Sequence, residues 1–308
     1  MNILVIGELN ADLILRNYSA FPSLGREVLV EDATLTLGSA SAICAVGLAR
    51  LGEQVRFLGK VGNDHWADLC LNWLAARGVD AGPVIRDATT QTGITVSITS
   101  ARDRALVTYP GAMAALRAEE IDLRALTGCD HLHVSSFFLQ PGLRPGLKRL
   151  LECARRQGLT VSLDPGFDPL ENWGKDLIDC LTEVDVFLPN EVELEAISGH
   201  AEVGAALQSL ANGRTLTVAK LGAAGCAVLK GGEVMRVPGF RVNPIDTTGA
   251  GDSFNAGFLH AWFKKTALEE ALLFANACAA LSTLSPGGIG GQPTESQAQE
   301  LLMKGACR

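Results

Sequence analysis

Short β-branched runs alternate with helical stretches over the first two thirds of the chain, and this order restricts the fold more than any other feature. "NILVIG" precedes a helical pattern at Ser39 to Leu51, "QVRFLGKVG" precedes one at Asp64 to Arg77, and "HLHVSS" precedes one at Gly142 to Gln157. "LTVSLD", a stretch at Leu170 to Leu181, "DVFLP" and a stretch at Glu191 to Ser198 continue the series. Alternation of this kind is satisfied by a mostly parallel sheet with helices on both faces, so a doubly wound α/β fold is expected.

From Arg214 onward the helices drop out. "RTLTVAKLG", "GCAVLKGG" and "EVMRVPG" are strand-like runs joined by Gly-rich turns, which predicts an antiparallel edge. Helices at Ala250 to Lys265, Ala267 to Leu284 and Thr294 to Lys304 follow, the last opening on a capping box at Thr294 to Gln297. No repeat or linker divides the 308 residues, so one domain spanning 1–308 is expected.

Two segments break the alternation. Asp12 to Leu37 and Thr92 to Tyr109 read as alternating strands with polar turns and too little apolar mass to stand alone. They are expected to pair as a small β-sheet lid, formed by about residues 12–37 and 92–110, over the main sheet. Strands folded across a neighbouring subunit would cover exposed edges, which predicts a homodimer through the lid.

Composition narrows the partners. The formal charge of -8, with no Lys/Arg-rich run, argues against nucleic acid or an anionic membrane surface and leaves a small molecule as the expected partner. "MNILVIGELNAD" has no basic lead or cleavage site, and no run reaches about 18 apolar residues, so a cytoplasmic protein is expected. Cysteines 44, 70, 129, 153, 180, 226, 278 and 307 never form C-x-x-C and are expected to be buried free thiols. His131 and His133 share a strand face, but apolar neighbours make them core or edge histidines rather than metal ligands.

The chemistry concentrates in "IDTTGAGDSF" at Ile245 to Phe254. Its glycines let a ligand approach the backbone, and the helix that follows offers unpaired N–H groups and a positive dipole end, an anion hole. A capping role explains Asp252 but not the Gly-Ala-Gly run before it. The run is not a dinucleotide fingerprint either, because the third Gly of that motif would fall on Phe254. Phosphoryl transfer fits both features: a carboxylate takes a hydroxyl proton while neighbouring N–H groups hold the negative charge.

Asp246-Thr247-Thr248-Gly249-Ala250-Gly251-Asp252, with Ala256-Gly257-Phe258-Leu259 after it, resembles the C-terminal signature of the ribokinase-like (PfkB) carbohydrate kinases. "GELNAD" is similar to that family's first strand end, where the positions of Asn10 and Asp12 hold sugar hydroxyls. "LPNEVELEAISG" resembles its Asn-x-x-Glu element at Asn190 and Glu193, and "KLGAAG" its nucleotide-phosphate loop at Lys220, Gly222 and Gly225. Taken alone, Asn190 and Glu193 read more readily as a cap and a solvated face than as a metal site, and Lys220 can be an exposed strand-end lysine. Asn276 is either a satisfied core amide or, as the resemblance implies, a residue near adenine.

The resemblance implies an ATP-dependent kinase that moves the γ-phosphoryl group to a primary hydroxyl of a sugar or sugar derivative. Asp252 would be the base, and Gly249, Ala250 and Gly251 the anion hole. Mg2+ would meet Glu193 through water, and a monovalent cation such as K+ would lie beside Asp246 and Thr248. Gly38 and Ser39, in "GSASAI", fall in the acceptor region, but Ser39 replaces a second glycine and Ile43 an asparagine of the family pattern. Met113 and "DPGFDP" depart in the same region. Ile cannot hydrogen-bond a sugar hydroxyl, so a nucleoside acceptor is the rival within this chemistry, and a non-catalytic sugar-binding regulator the rival outside it.

Overall fold

A computed structural model describes residues 1–99 and 104–305, so Cys307 and positions 100–103 of the second irregular segment lie outside the described residues. In chain order the strands are β1 (Asn2–Ile6), β2 (Asn10–Tyr18), β3 (Val30–Leu37), β4 (Gln54–Leu58), β5 (Lys60–Gly62), β6 (Val79–Asp80), β7 (Ile85–Asp87), β8 (Gly93–Thr99), β9 (Arg104–Tyr109), β10 (His131–Val134), β11 (Thr160–Leu163), β12 (Val186–Phe187), β13 (Leu216–Lys220), β14 (Cys226–Lys230) and β15 (Glu233–Val237). The α-helices are α1 (Ala40–Arg50), α2 (His65–Ala75), α3 (Arg144–Arg156), α4 (Lys175–Leu181), α5 (Glu191–Ser198), α6 (Val203–Ser209), α7 (Ala250–Phe263), α8 (Leu268–Ser282) and α9 (Glu295–Met303).

The main sheet runs β15-β14-β13-β12-β11-β10-β1-β4-β6. Its strands are parallel from β6 to β13 and turn antiparallel at β14 and β15, the edge expected from the Gly-rich turns. Successive residues of β1 serve opposite faces: Ile3 and Val5 join a core that includes residues of α1, α7 and α8, whereas Leu4 and Ile6 join one that includes residues of α3 and α4. Each such fully buried aliphatic side chain contributes about 1.5–3 kcal/mol. The chain order reverses at β1, which lies between β4 and β10, and this switch point opens a crevice outside the carboxyl ends of the strands.

A second sheet runs β3-β2-β8-β9, with β2 and β8 paired in parallel from Asn10↔Gly93 to Arg16↔Thr99. The two segments that broke the alternation therefore pair with each other. A further pair, β5 with β7, joins strands too short to be legible in the sequence.

Two helix readings change. α4 starts at Lys175 rather than near Leu170. The Asp168 carboxylate accepts from the N–H groups of Leu170, Asn172 and Trp173 and holds a turn there, with Glu171 and Trp173 at positive φ. α6 was not expected, since its seven residues carry little periodic signal. By contrast, the capping box at Thr294 forms as read, with Thr294 Oγ1 accepting from the Gln297 N–H.

His131 and His133 are buried core residues: both nitrogens of His131 reach Thr160 and Ser162 hydroxyls at 2.7 Å, and His133 Nδ1 reaches Ser162 at 2.7 Å. Burial holds both imidazoles below their ordinary range, His133 at about 4. All seven described cysteines are free; five are buried, but Cys129 and Cys153 are only half-buried, in contrast to the expectation.

Candidate active site

Gly249 ends the loop before α7 in the left-handed region, φ 71°, and a side chain there would also collide with Gly288 Cα at 2.8 Å and Ile43 Cγ2 at 2.9 Å. The loop thus lies flat against Ile43 and enters the helix at Ala250. The Ala250 N–H donates to the Thr247 carbonyl at 3.2 Å, and Asp252 occupies the first turn, where the dipole favours its charge. Behind the loop, Asp246 Oδ1 accepts from the Thr248 N–H and Oδ2 from the Gly287 N–H, both at 2.9 Å, which ties the loop to the segment after α8.

In front of the loop is a cavity of about 460 Å³ lined by Asn10, Asp12, Ser39, Asn190, Glu193, Lys220 and Thr248 to Asp252. β2 supplies one wall, because Asn10, Asp12 and Ile14 share a face. The Asn10 amide is oriented on both sides: Nδ2 donates to Asp12 Oδ1 at 2.8 Å and Thr95 Oγ1 at 2.9 Å, and Oδ1 accepts from Ser39 Oγ at 2.5 Å. Ser39 makes that bond from a strained backbone, φ 72° and ψ 123°, at the position where the family pattern has glycine. Ile43, Met113, Leu139 and Phe167 add apolar lining to the same cavity.

A second, mainly apolar cavity of about 240 Å³ adjoins it, lined by Gly222, Gly225, Phe240, Val242, Asn276 and Ala280. Lys220, Gly222, Thr247, Ala250 and Gly251 line both cavities, so the loop is their shared wall. Asn276 Nδ2 donates to the carbonyls of Val237 and Pro238 at 3.2 and 3.1 Å, so this amide is satisfied and lines the cavity at the same time.

A profile of the pfkB family carbohydrate kinases matches residues 1–295. This chain belongs to that family. The ribokinase of Bacillus subtilis is 31% identical over 303 residues, covering 98% of this chain and 99% of the relative. Fructokinase-1 of Zea mays is 29% identical over 286 residues, covering 87% and 88%. Among solved structures, a fructokinase from Xylella fastidiosa with bound ATP superposes with a TM-score of 0.85 at 25% identity, covering 99% of this chain and 98% of that one. The pfkB-family chain is accordingly a sugar kinase, a phosphotransferase with an alcohol group as acceptor.

In this pfkB-family kinase, Asn190 and Glu193 do form a capping box, with Glu193 Oε2 accepting from the Asn190 N–H at 2.8 Å and Asn190 Oδ1 from the Glu193 N–H at 2.9 Å. Yet Glu193 is 5% exposed rather than solvated, and burial, aided by the charge of Asp164, pushes it up to about 7. Lys220 is likewise buried, not an exposed strand end. Its Nζ donates to Asp164 Oδ2 at 2.6 Å and Asn255 Oδ1 at 3.3 Å, and Asn255 Nδ2 donates to the same Asp164 oxygen at 2.6 Å. Burial opposes both charges of the pair, but each partner holds the other ionised.

Sequence reading missed three polar residues of this region. Asn255 carried a signal, since it lies three residues after Asp252 on one helical face. Asp164 carried none that distinguishes it from a turn residue. Glu8, within "GELNAD", is 2% exposed and accepts from the Ser41 and Ser136 hydroxyls and the Ser41 N–H; burial raises it above the usual carboxylate range.

Proposed function

We propose that this kinase transfers the γ-phosphoryl group of ATP to a primary hydroxyl of a sugar or sugar derivative. The observation that carries this reading is the meeting of the two cavities at Thr247, Ala250 and Gly251, with the apolar one suited to adenine and the one lined by Asn10 and Asp12 to a polyol. Asn10, Asp12 and Ser39, beside Gly38, orient the acceptor. Gly222, Gly225 and Asn276 line the adenine side, with Asn190 and Lys220 toward the phosphates. Asp252 takes the proton of the attacking hydroxyl, and the N–H groups of the Gly249-Ala250-Gly251 turn hold charge on the transferred group.

The hard oxygen donor at Glu193, buried and facing the cavity, fits an outer contact to Mg2+. Among the described residues no three potential ligands cluster, as suits an ion that keeps its waters and the nucleotide's oxygens. Glu193 would hold Mg2+ through water, and the ion would supply neutralisation of the phosphate charge. A monovalent cation such as K+ beside Asp246 and Thr248 belongs to the same reading and would hold the loop in place.

The small sheet acts as a lid, because Ile14, Thr95, Ser97, Leu106 and Thr108 from its strands line the acceptor cavity. Its exposed Val107 and Tyr109 support a homodimer through the lid, which light scattering would test. A cytoplasmic location suits an ATP-dependent enzyme, and no helix among the described residues is long and apolar enough to cross a membrane. The apolar lining at Ile43 and Met113 favours a nucleoside as the second acceptor class.

ADP release from a panel of pentoses, hexoses, sugar acids and nucleosides tests the acceptor. Asp252→Asn should retain ATP binding and lose about 10²–10⁴-fold in turnover. Near-wild-type turnover in that variant would overturn the assignment of the base, and a chain that binds sugar and ATP but makes no ADP with any acceptor would be a regulator.

A further inference from the structure

Among the described residues, Lys220 is the one Lys or Arg that lines either cavity, whereas Glu8, Asp12, Asp164, Glu193 and Asp252 all line the acceptor side. An ATP tail entering this space adds further negative charge, so the location of that cation matters. It stands at the junction: a Cβ built on Gly251 would lie 3.6 Å from Lys220 Nζ, beside the turn that precedes Asp252.

Its support comes from three separate elements. Lys220 ends β13, Asp164 follows β11, and Asn255 sits one turn after Asp252 on α7, so one helical face carries both the base and an amide that fixes the lysine's partner. A buried ion pair adds little net stability compared with apolar packing, which gives this one no evident structural purpose at a cavity mouth.

We propose that Lys220 contacts the transferred phosphoryl group during the reaction, and that Asp164 and Asn255 are the positioning residues that aim it. This rests on the kinase reading above. The acceptor oxygen forms a bond to the γ-phosphorus, the bond from that phosphorus to the β-phosphate bridging oxygen breaks, the hydroxyl proton goes to Asp252, and ADP leaves. Lys220 keeps its protons throughout and shares its N–H donors between Asp164 and the equatorial oxygens of the moving group.

The test combines Lys220→Met, Asp164→Asn and the double variant, with kcat from ADP release and ATP Kd from equilibrium binding. Lys220→Met should leave Kd within about threefold and lower kcat about 10²–10³-fold. Asp164→Asn should lower kcat about tenfold alone and add no further loss in the Lys220→Met background, because it acts through the lysine. The single lysine variant strands a buried carboxylate; should it fail to fold, the double variant, neutral at both positions, carries the same kcat test.

Near-wild-type kcat without Lys220, a loss confined to ATP Kd, or additive losses in the double variant would each overturn the proposal. Wild-type protein that binds ATP and forms no ADP with any acceptor would sink the kinase reading and this inference together, an outcome distinct from active wild type with active variants.

Discussion

The Asp12 carboxylate occupies the space where a side chain on Gly38 would stand: a Cβ there would lie 2.0 Å from Asp12 Oδ1 and 2.4 Å from its Cγ. Gly38 in turn is held by its N–H, which donates to the Asn10 carbonyl at 3.0 Å. The glycine therefore sets where Asp12 points, at the end of β3 that faces the acceptor cavity.

Gly38→Ala must push Asp12 off that position. The expected result is a rise of about tenfold or more in the acceptor KM with the ATP KM unchanged, measured by varying each substrate in turn. An unchanged acceptor KM would remove Asp12 from the acceptor site.

Filling the apolar cavity should do the reverse. Ala280 lines it near Asn276, and Ala280→Trp would occupy much of its roughly 240 Å³. ATP KM should rise about tenfold or more while acceptor KM stays constant. A rise in acceptor KM alone would mean that the two cavities have been assigned the wrong way round.

Glu8 makes stability depend on pH. Its native pKa is raised by burial above 4.5, so the folded chain binds that proton more tightly than the unfolded chain. The contribution is fully present below 4.5 and is lost as pH rises through the native value. Glu8→Gln does not titrate, so its melting midpoint should gain on the wild type as pH rises from about 4.5 through that native value. A difference between the two midpoints that stays constant over that range would show that Glu8 is not held protonated by burial.

Replacing K+ by Na+ or an organic cation should lower kcat several-fold with little change in ATP affinity, if an ion beside Asp246 steadies the anion loop. Asp246→Asn should flatten that response. Equal rates in all three salts would show that no ion beside Asp246 steadies the loop.

What the sequence determined by itself is local. Periods of two and 3.6 placed the main strands and most helices, Gly-rich turns marked the antiparallel edge at β14 and β15, and the contiguous Gly249–Asp252 run marked a glycine-rich turn into a helix, because these depend on neighbours in the chain. Tertiary structure decided the states of the charged groups. Lys220, Asp164 and Asn255 lie 35 to 91 residues apart in pairs, and nothing local tells that lysine apart from an exposed strand end. Glu193 is at once a cap and a cavity carboxylate, since the burial that raises it comes from elements far away in sequence. Backbone pattern follows from nearest neighbours, whereas the charge of a buried group follows from whatever the fold packs around it, and that is where this site was completed.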